Sequence, residues 1–193
     1  MRTSERERRD NEPVIEVETL PWTELADSEK LACAALWDRV WPDEDTPGPD
    51  ARLAAVESRF SPLRGHLVHC AYDTSRELVA VGRTFNHRIS IGEDPREIVA
   101  LASVCSDPDR RGEGFGDAVV TAAFDRVAVE RRVSLFQTPV PEYYERFGSI
   151  IVNNEILTSI PNAEPFEDPW AMIHPGDADW DNSAVIDLLA PGW

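Results

Sequence analysis

Residues 109–116 read DRRGEGFG. Gly112, Gly114 and Gly116 alternate with Glu113 and Phe115, behind the pair Arg110 and Arg111. An apolar run, EIVALASVCS (97–106), ends just ahead of this stretch. DAVVTAAFDRVAVE (117–130) follows it, with Val119, Ala123 and Val127 beside Val120 and Phe124 at helical spacing. The order is therefore strand, glycine loop, helix. Consecutive backbone N–H groups at a helix start hold an anion, and missing side chains let a bulky pyrophosphate approach the main chain. A dinucleotide fold would place GxGxxG after its first strand, whereas this loop follows the fourth expected strand. A phosphate loop of the Walker type needs Gly-Lys-Ser/Thr, which is absent, and that weakens a nucleotide-binding reading. The bland alternative is a glycine-rich turn that only reverses the chain.

Outward from the loop, PVIEVETL (13–20) alternates and reads as a first strand. ELADSEKLACAALWDRVWP (24–42) has helical spacing through Leu25, Leu31, Ala35, Leu36 and Val40, stopped by Pro42. An acidic Pro/Gly loop, DEDTPGPD (43–50), separates it from a short helix at 51–60. HLVHCAY (66–72) and ELVAVGRTF (77–85), joined by DTSR, read as a hairpin. After the glycine loop and its helix come a strand VSLFQT (133–138) and a short helix PEYYERFG (141–148), opened by Pro141 and closed by Gly148. Strand-like pieces SIIVNNEILTSI, WAMIHP and AVIDLLAPGW complete the chain. The order β-α-α-β-β-β-α-β-α-β predicts an α/β domain around a mixed central sheet. The expected division is a mobile charged tail at 1–12 and one domain over 13–193, with 161–193 a C-terminal extension packed on it.

Composition sets limits on function. The chain has 193 residues, 42% of them hydrophobic, enough for one ordinary core. No apolar run approaches bilayer-spanning length, and MRTSERERRDNE lacks a signal peptide's hydrophobic segment, so a cytoplasmic protein without a membrane partner is expected. The formal net charge is −17, and Lys30 is the only lysine. Such a balance argues against nucleic acid as a partner and modestly favours cationic ligands through long-range steering. Cys33, Cys70 and Cys105 are odd in number with no CxxC, which points to buried free thiols. Four scattered histidines offer no metal-ligand spacing, so no metal is expected.

Arg111-x-x-Gly114-x-Gly116, following the strand that ends Val104-Cys105-Ser106, resembles the acetyl-CoA signature of the GCN5-related N-acetyltransferase (GNAT) superfamily. The likeness continues through LFQT and EYYERFG, where Tyr143-Tyr144, three residues and Gly148 stand as the family's tyrosine-bearing helix. It covers roughly residues 13–160, with its specific part in 97–148.

The resemblance implies a strongly twisted central sheet flanked by helices, and acetyl-CoA as co-substrate. Arg111 and the amides of Gly112, Glu113, Gly114, Phe115 and Gly116 would hold the pyrophosphate. The strand edge at Val104, Cys105 and Ser106 would splay from its neighbour, pair with the pantetheine amides and orient the thioester carbonyl. A small amine would attack directly in a ternary complex, and Tyr144 stands at the general-acid position, its hydroxyl protonated at neutral pH. Tyr143 reads as structural. The family's central-strand glutamate has no counterpart in ALASVCS (100–106). Glu97 and His87 lie off the matching position, so ordered water is the expected proton carrier. Cys105, on a buried strand, reads as inert.

The acidic residues Asp43, Glu44 and Asp45 fall where the family covers its acceptor. A strand-rich tail ending in Trp193 is loosely similar to the aminoglycoside 2'-N-acetyltransferases within the superfamily. Together these imply a small cationic acceptor gripped by Asp43, Glu44, Asp45 and Trp193. The alternative is a catalytically silent acyl-CoA-binding sensor or interaction module. The sequence leaves a homodimer open.

Overall fold

Alternating apolar residues produce an antiparallel meander. The computed structural model describes residues 15–42, 48–60, 64–158, 170–177, 179–190 and 193. Strand β1 (Val17–Pro21) pairs with β2 (Arg64–Tyr72), β2 with β3 (Leu78–Ile91), and β3 with β4 (Asp94–Ser106). Between β1 and β2 the chain forms two helices, α1 (Asp27–Val40) and α2 (Pro49–Phe60). Glu29 Oε2 accepts the Ala26 N–H at 2.8 Å, occupying one of the orphan donors at the start of α1. Pro42 stops the helix two residues past its end.

The expected hairpin is longer than its apolar core. β3 runs on to Ile91 and β4 begins at Asp94, so only Gly92 and Glu93 make the turn, with Gly92 at φ 58°. The charged stretch around Pro95 hid this extension, because ladder pairing there is set by the tight turn rather than by apolar alternation.

Helix α3 (Phe115–Glu130) lies on one face of the sheet, burying Phe115, Val119, Val120, Ala123, Phe124 and Val127. Helix α1 covers the opposite face with Cys33, Leu36 and Trp37. The two faces of β4 are correspondingly divided. Val99, Leu101 and Val104 pack on the α3 side, while Cys105 packs beneath α1 and Ala100 and Ala102 lie on that same side beside Phe85.

That division requires a break in the strict alternation of a strand, and β4 has one. Arg83 pairs with Ala102 and Val81 with Cys105, so Ser103 and Val104 together oppose Gly82. The extra residue resets which side chains face which helix. Ser103 takes φ 52°, a left-handed conformation unusual for a residue with a side chain. Gly82 is matched to the bulge: a Cβ there would lie 2.8 Å from Val119 Cγ1 and 3.2 Å from Val104 Cγ2.

The rest of the chain builds a second sheet. β5 (Ser134–Thr138), then α4 (Pro141–Glu145) and β6 (Ile150–Ile151), lead through β7 (Ile156–Leu157) to β8 (Trp170–His174), which pairs with both β5 and β6. β9 (Ile186–Asp187) returns to the first sheet, antiparallel to β3 at Ser90 and Ile91 and parallel to β7. β8 is therefore the middle strand of its sheet, with Met172 and Ile173 fully buried. Among the described residues no helix is long and apolar enough to cross a membrane.

Candidate active site

The two sheets meet at β4 and β5 without forming a ladder. The Val99 N–H donates to Val133 O at 3.0 Å, just before β5 begins. Beyond that point, toward Ser106, the facing edges share no backbone hydrogen bond among the described residues. The parted edge of β4 therefore keeps main-chain donors and acceptors that its neighbour does not use. Such an edge takes an extended ligand bearing amides.

The glycine loop stands at the end of that edge. Gly112 and Gly114 adopt φ 85° and 89°, conformations that favour glycine, and Gly114 is the N-cap of α3. The Ala118 N–H closes the first helical turn on Gly114 O at 3.0 Å. The amides of Phe115, Gly116 and Asp117 come before that bond and have no helical acceptor. Gly116 is bare for a different reason: a Cβ there would sit 3.1 Å from Tyr143 Oη and 4.0 Å from Ser106 Oγ.

The acids around the loop are tied up by arginines. Arg39, near the end of α1, donates to Asp107 Oδ2 and Asp109 Oδ2, each at 2.6 Å. Arg110 donates to both carboxylate oxygens of Glu113 at 2.8 Å and to Asp73 Oδ2 at 3.2 Å. The Arg110 contact is the main cause holding the Glu113 carboxyl below its usual range. Glu113 thus has its carboxylate engaged, leaving its backbone amide for a ligand. Arg111 is exposed and has no ion-pair partner among the described residues, so its charge is available to an anion at the helix start.

On the α3 side of the parted strands, Tyr144 is buried against Phe136, ring centroids 4.8 Å apart, in the cluster that contains Val99, Leu101 and Val120. Pro141 opens its helix and Gly148, at φ 82°, lies just beyond. Tyr143 reaches the start of α3, beside Gly116; burial, then the Asp117 charge, pushes its hydroxyl pKa up. Arg146 lies over the Tyr143 ring and donates to Asp117 Oδ1 at 2.9 Å. Tyr143 therefore contacts the glycine loop, a placement that the sequence did not signal.

The α1 side of the same strand edge is lined differently. Ala100 and Ala102 form its floor, with Phe85 and Trp193 against them. Gln137 Nε2 donates to Trp193 O at 2.8 Å, so Trp193 bridges the β4 and β5 sides. His87 lies 4.8 Å from the Trp193 ring, its Nε2 2.7 Å from Leu188 O. Glu97 is paired with Arg132 at 2.8 Å, near the opposite end of β4. Asp43, Glu44 and Asp45 lie outside the described residues.

Cys105 is 7% exposed and burial pushes its thiol up to about 12, so it remains protonated near neutral pH. Cys33, Cys70 and Cys105 are all free and buried. No group of three or more His, Cys, Asp or Glu side chains among the described residues is placed to hold a metal ion.

A glycine loop at a helix start thus stands beside a strand edge left open by its neighbour. A profile of the acetyltransferase (GNAT) domain matches residues 23–151, and the chain belongs to the GNAT acetyltransferase family. The fold is similar to that of YhbS, a GNAT family N-acetyltransferase from Escherichia coli solved with CoA, at 15% identity and TM-score 0.60 over 91% of each chain. It is similar also to an aminoglycoside 6'-N-acetyltransferase complexed with coenzyme A, at 18% identity and TM-score 0.56, covering 82% of this chain and 96% of that one. A probable N-acyltransferase from Enterococcus faecalis V583 matches at 14% identity and TM-score 0.55 over 71% of this chain. The chain spans about a third of that protein's length, 32%. No characterised protein matches by sequence. The aminoglycoside enzyme among these three acts at the 6' position, and the finer likeness of the C-terminal segment to 2'-N-acetyltransferases is not confirmed by it.

Proposed function

We propose that the chain transfers an acetyl group from acetyl-CoA to a primary amine of a small acceptor. The observation that carries this reading is the parted edge of β4, running into a glycine loop whose acids are already paired and whose Arg111 has no ion-pair partner among the described residues. The pyrophosphate would rest on the amides of 112–116 and on Arg111, and the pantetheine would extend along Val104, Cys105 and Ser106. A neutral amine entering from the α1 side attacks the thioester carbonyl. The tetrahedral adduct collapses, the C–S bond breaks, and Tyr144 donates a proton to the departing CoA thiolate. The proton shed by the amine leaves through water, since the floor on this side is Ala100 and Ala102 rather than a carboxylate.

A cationic acceptor is favoured by the net charge of −17 and by Asp43, Glu44 and Asp45. An aminosugar or polyamine suits such an acidic sequence, because spare ammonium groups bind carboxylates while another amine reacts. The lack of a carboxylate in residues 100–106 of β4 supports a second reading, an acyl-CoA-binding module without turnover. Calorimetric titration with acetyl-CoA, followed by thiol release with spermidine, kanamycin A and benzylamine, separates the two. Binding with thiol release on an amine supports the transferase. Binding with no release on any of them supports the sensor, and no binding removes both.

A further inference from the structure

Ser103 is the residue on which the exposed edge of β4 turns, and it is held from two directions by side chains outside the glycine loop. The Trp37 Nε1–H donates to Ser103 O at 3.2 Å. Arg83 Nη2 donates to Ser103 Oγ at 2.7 Å. The two supports also touch each other, with the Arg83 guanidinium 4.9 Å from the centre of the Trp37 ring. Both are almost fully enclosed, at 2% exposure each. A buried guanidinium is uncommon unless its hydrogen bonds are specific.

We infer that Trp37 and Arg83 are positioning residues for acyl transfer, holding the Ser103 bulge so that the following residues present their backbone to the pantetheine and its thioester. This rests on the acetyl-CoA reading above.

A non-glycine residue at φ 52° is disfavoured by its own Cβ, and relaxes unless its surroundings fix it. Trp37 fixes the carbonyl and Arg83 the hydroxyl, so both ends of the residue are constrained. Relaxation of the bulge would return β4 toward simple alternation and turn Val104 and Cys105 to the wrong faces. The direction of the backbone at 104–106 would change with them. The pyrophosphate loop begins beyond this point and is anchored separately, by Arg39 and Arg110. The inference therefore separates two parts of one ligand. The pantetheine and acyl end depend on the bulge, and the phosphate end does not. It also gives α1 a role beyond covering the acceptor, since Trp37 and Arg39, two positions apart, reach the bulge and the loop respectively.

The test compares acetyl-CoA with 3'-phosphoadenosine 5'-diphosphate, which carries the pyrophosphate but no pantetheine. Trp37→Phe removes the indole donor and keeps a ring for Arg83 to cover. Ser103→Ala removes only the hydroxyl. Each variant should weaken acetyl-CoA by roughly 3- to 10-fold, as for one lost neutral or charge-assisted hydrogen bond, and bind the pantetheine-free nucleotide like the wild type. A merely structural role would weaken both ligands in parallel, and that result overturns the inference. Unchanged acetyl-CoA affinity in the folded variants overturns it as well. Should Trp37→Phe not fold, Ser103→Ala, a change of one oxygen, carries the comparison alone. A wild-type protein that binds neither ligand refutes the acetyl-CoA reading itself, and the inference falls with it.

Discussion

His69 sits at 0% exposure between β2 and α3, and its neutrality is required by the fold. Its Nδ1 lies 2.9 Å from Thr19 Oγ1 and its Nε2 2.9 Å from Thr84 Oγ1. Arg126 Nη1 donates to that same Thr84 oxygen at 2.7 Å. A proton added to the imidazole would make both ring nitrogens donors and place a cation beside a guanidinium. Burial first, then Arg126, push the His69 pKa down from 6.5 to about 4. The unfolded chain therefore binds the proton more tightly than the fold does. Stability from this residue is complete above pH 6.5 and is lost as the pH falls from there toward 4. With these two values, the loss at pH 5 is about 2 kcal/mol and approaches about 3 kcal/mol below pH 4. Urea unfolding followed by tryptophan fluorescence at pH 7.5 and 5.0 measures it. His66 titrates in the same direction, pushed down to about 3 mainly by burial, so the wild-type slope alone does not isolate His69. His69→Gln does, because it keeps a hydrogen-bonding side chain and removes the titration. The variant should lose about 2 kcal/mol less than the wild type between the two pH values. Equal losses in the two proteins would refute the argument.

Other variants probe the site. Gly114→Asp puts a charge at the helix start and a side chain at φ 89°; CoA affinity should fall by about 10²-fold or more in protein whose circular dichroism is unchanged. Tyr144→Phe should lower turnover by roughly 10²-fold and leave CoA binding intact, whereas Tyr143→Phe should keep wild-type turnover. Equal effects from the two would assign the pair to packing. Joint replacement of Asp43, Glu44 and Asp45 by Asn and Gln should raise KM for a polyamine acceptor at low salt and leave acetyl-CoA binding alone; an unchanged KM makes the segment a solvated surface.

What was legible in the sequence was what depends on local pattern. The alternation in 66–72 and 77–85 and the helical rows of 117–130 appear as β2, β3 and α3 because each follows from one buried face. The loop glycines were legible because positive φ and close approach leave few other choices. The bulge was not. Nothing in ASVCS marks Ser103 as left-handed, because its supports come from Trp37 and Arg83, distant in the chain. Tyr143 was read as structural, since only the folded chain brings its hydroxyl to Gly116 and Asp117. Glu97 was set aside by its position alone, and its pairing was not legible, since its partner Arg132 becomes a neighbour only when α3 has turned back along the sheet.

The proposed pyrophosphate site, in a chain of net charge −17, raises an electrostatic problem that the pairing around the loop addresses. Asp73, Asp107, Asp109 and Glu113 all stand near the helix start, and unpaired they would repel a pyrophosphate at short range. Forked guanidinium groups can each hold two carboxylates at once, which a lysine ammonium does less well. Arg39 takes Asp107 and Asp109, and Arg110 takes Asp73 and Glu113, so two arginines pair four acids and cancel half of their charge. The dipole, the bare amides and Arg111 then act against only the half of that acidic charge that the two arginines leave. It follows that Arg39, though it need not touch the ligand, controls the charge the ligand meets. Arg39→Ala should release two carboxylates beside the loop, weaken CoA binding, and make that binding recover as salt is raised over a range in which wild-type affinity falls. Parallel salt dependence in the two proteins would show that Arg39 only ties α1 to the loop.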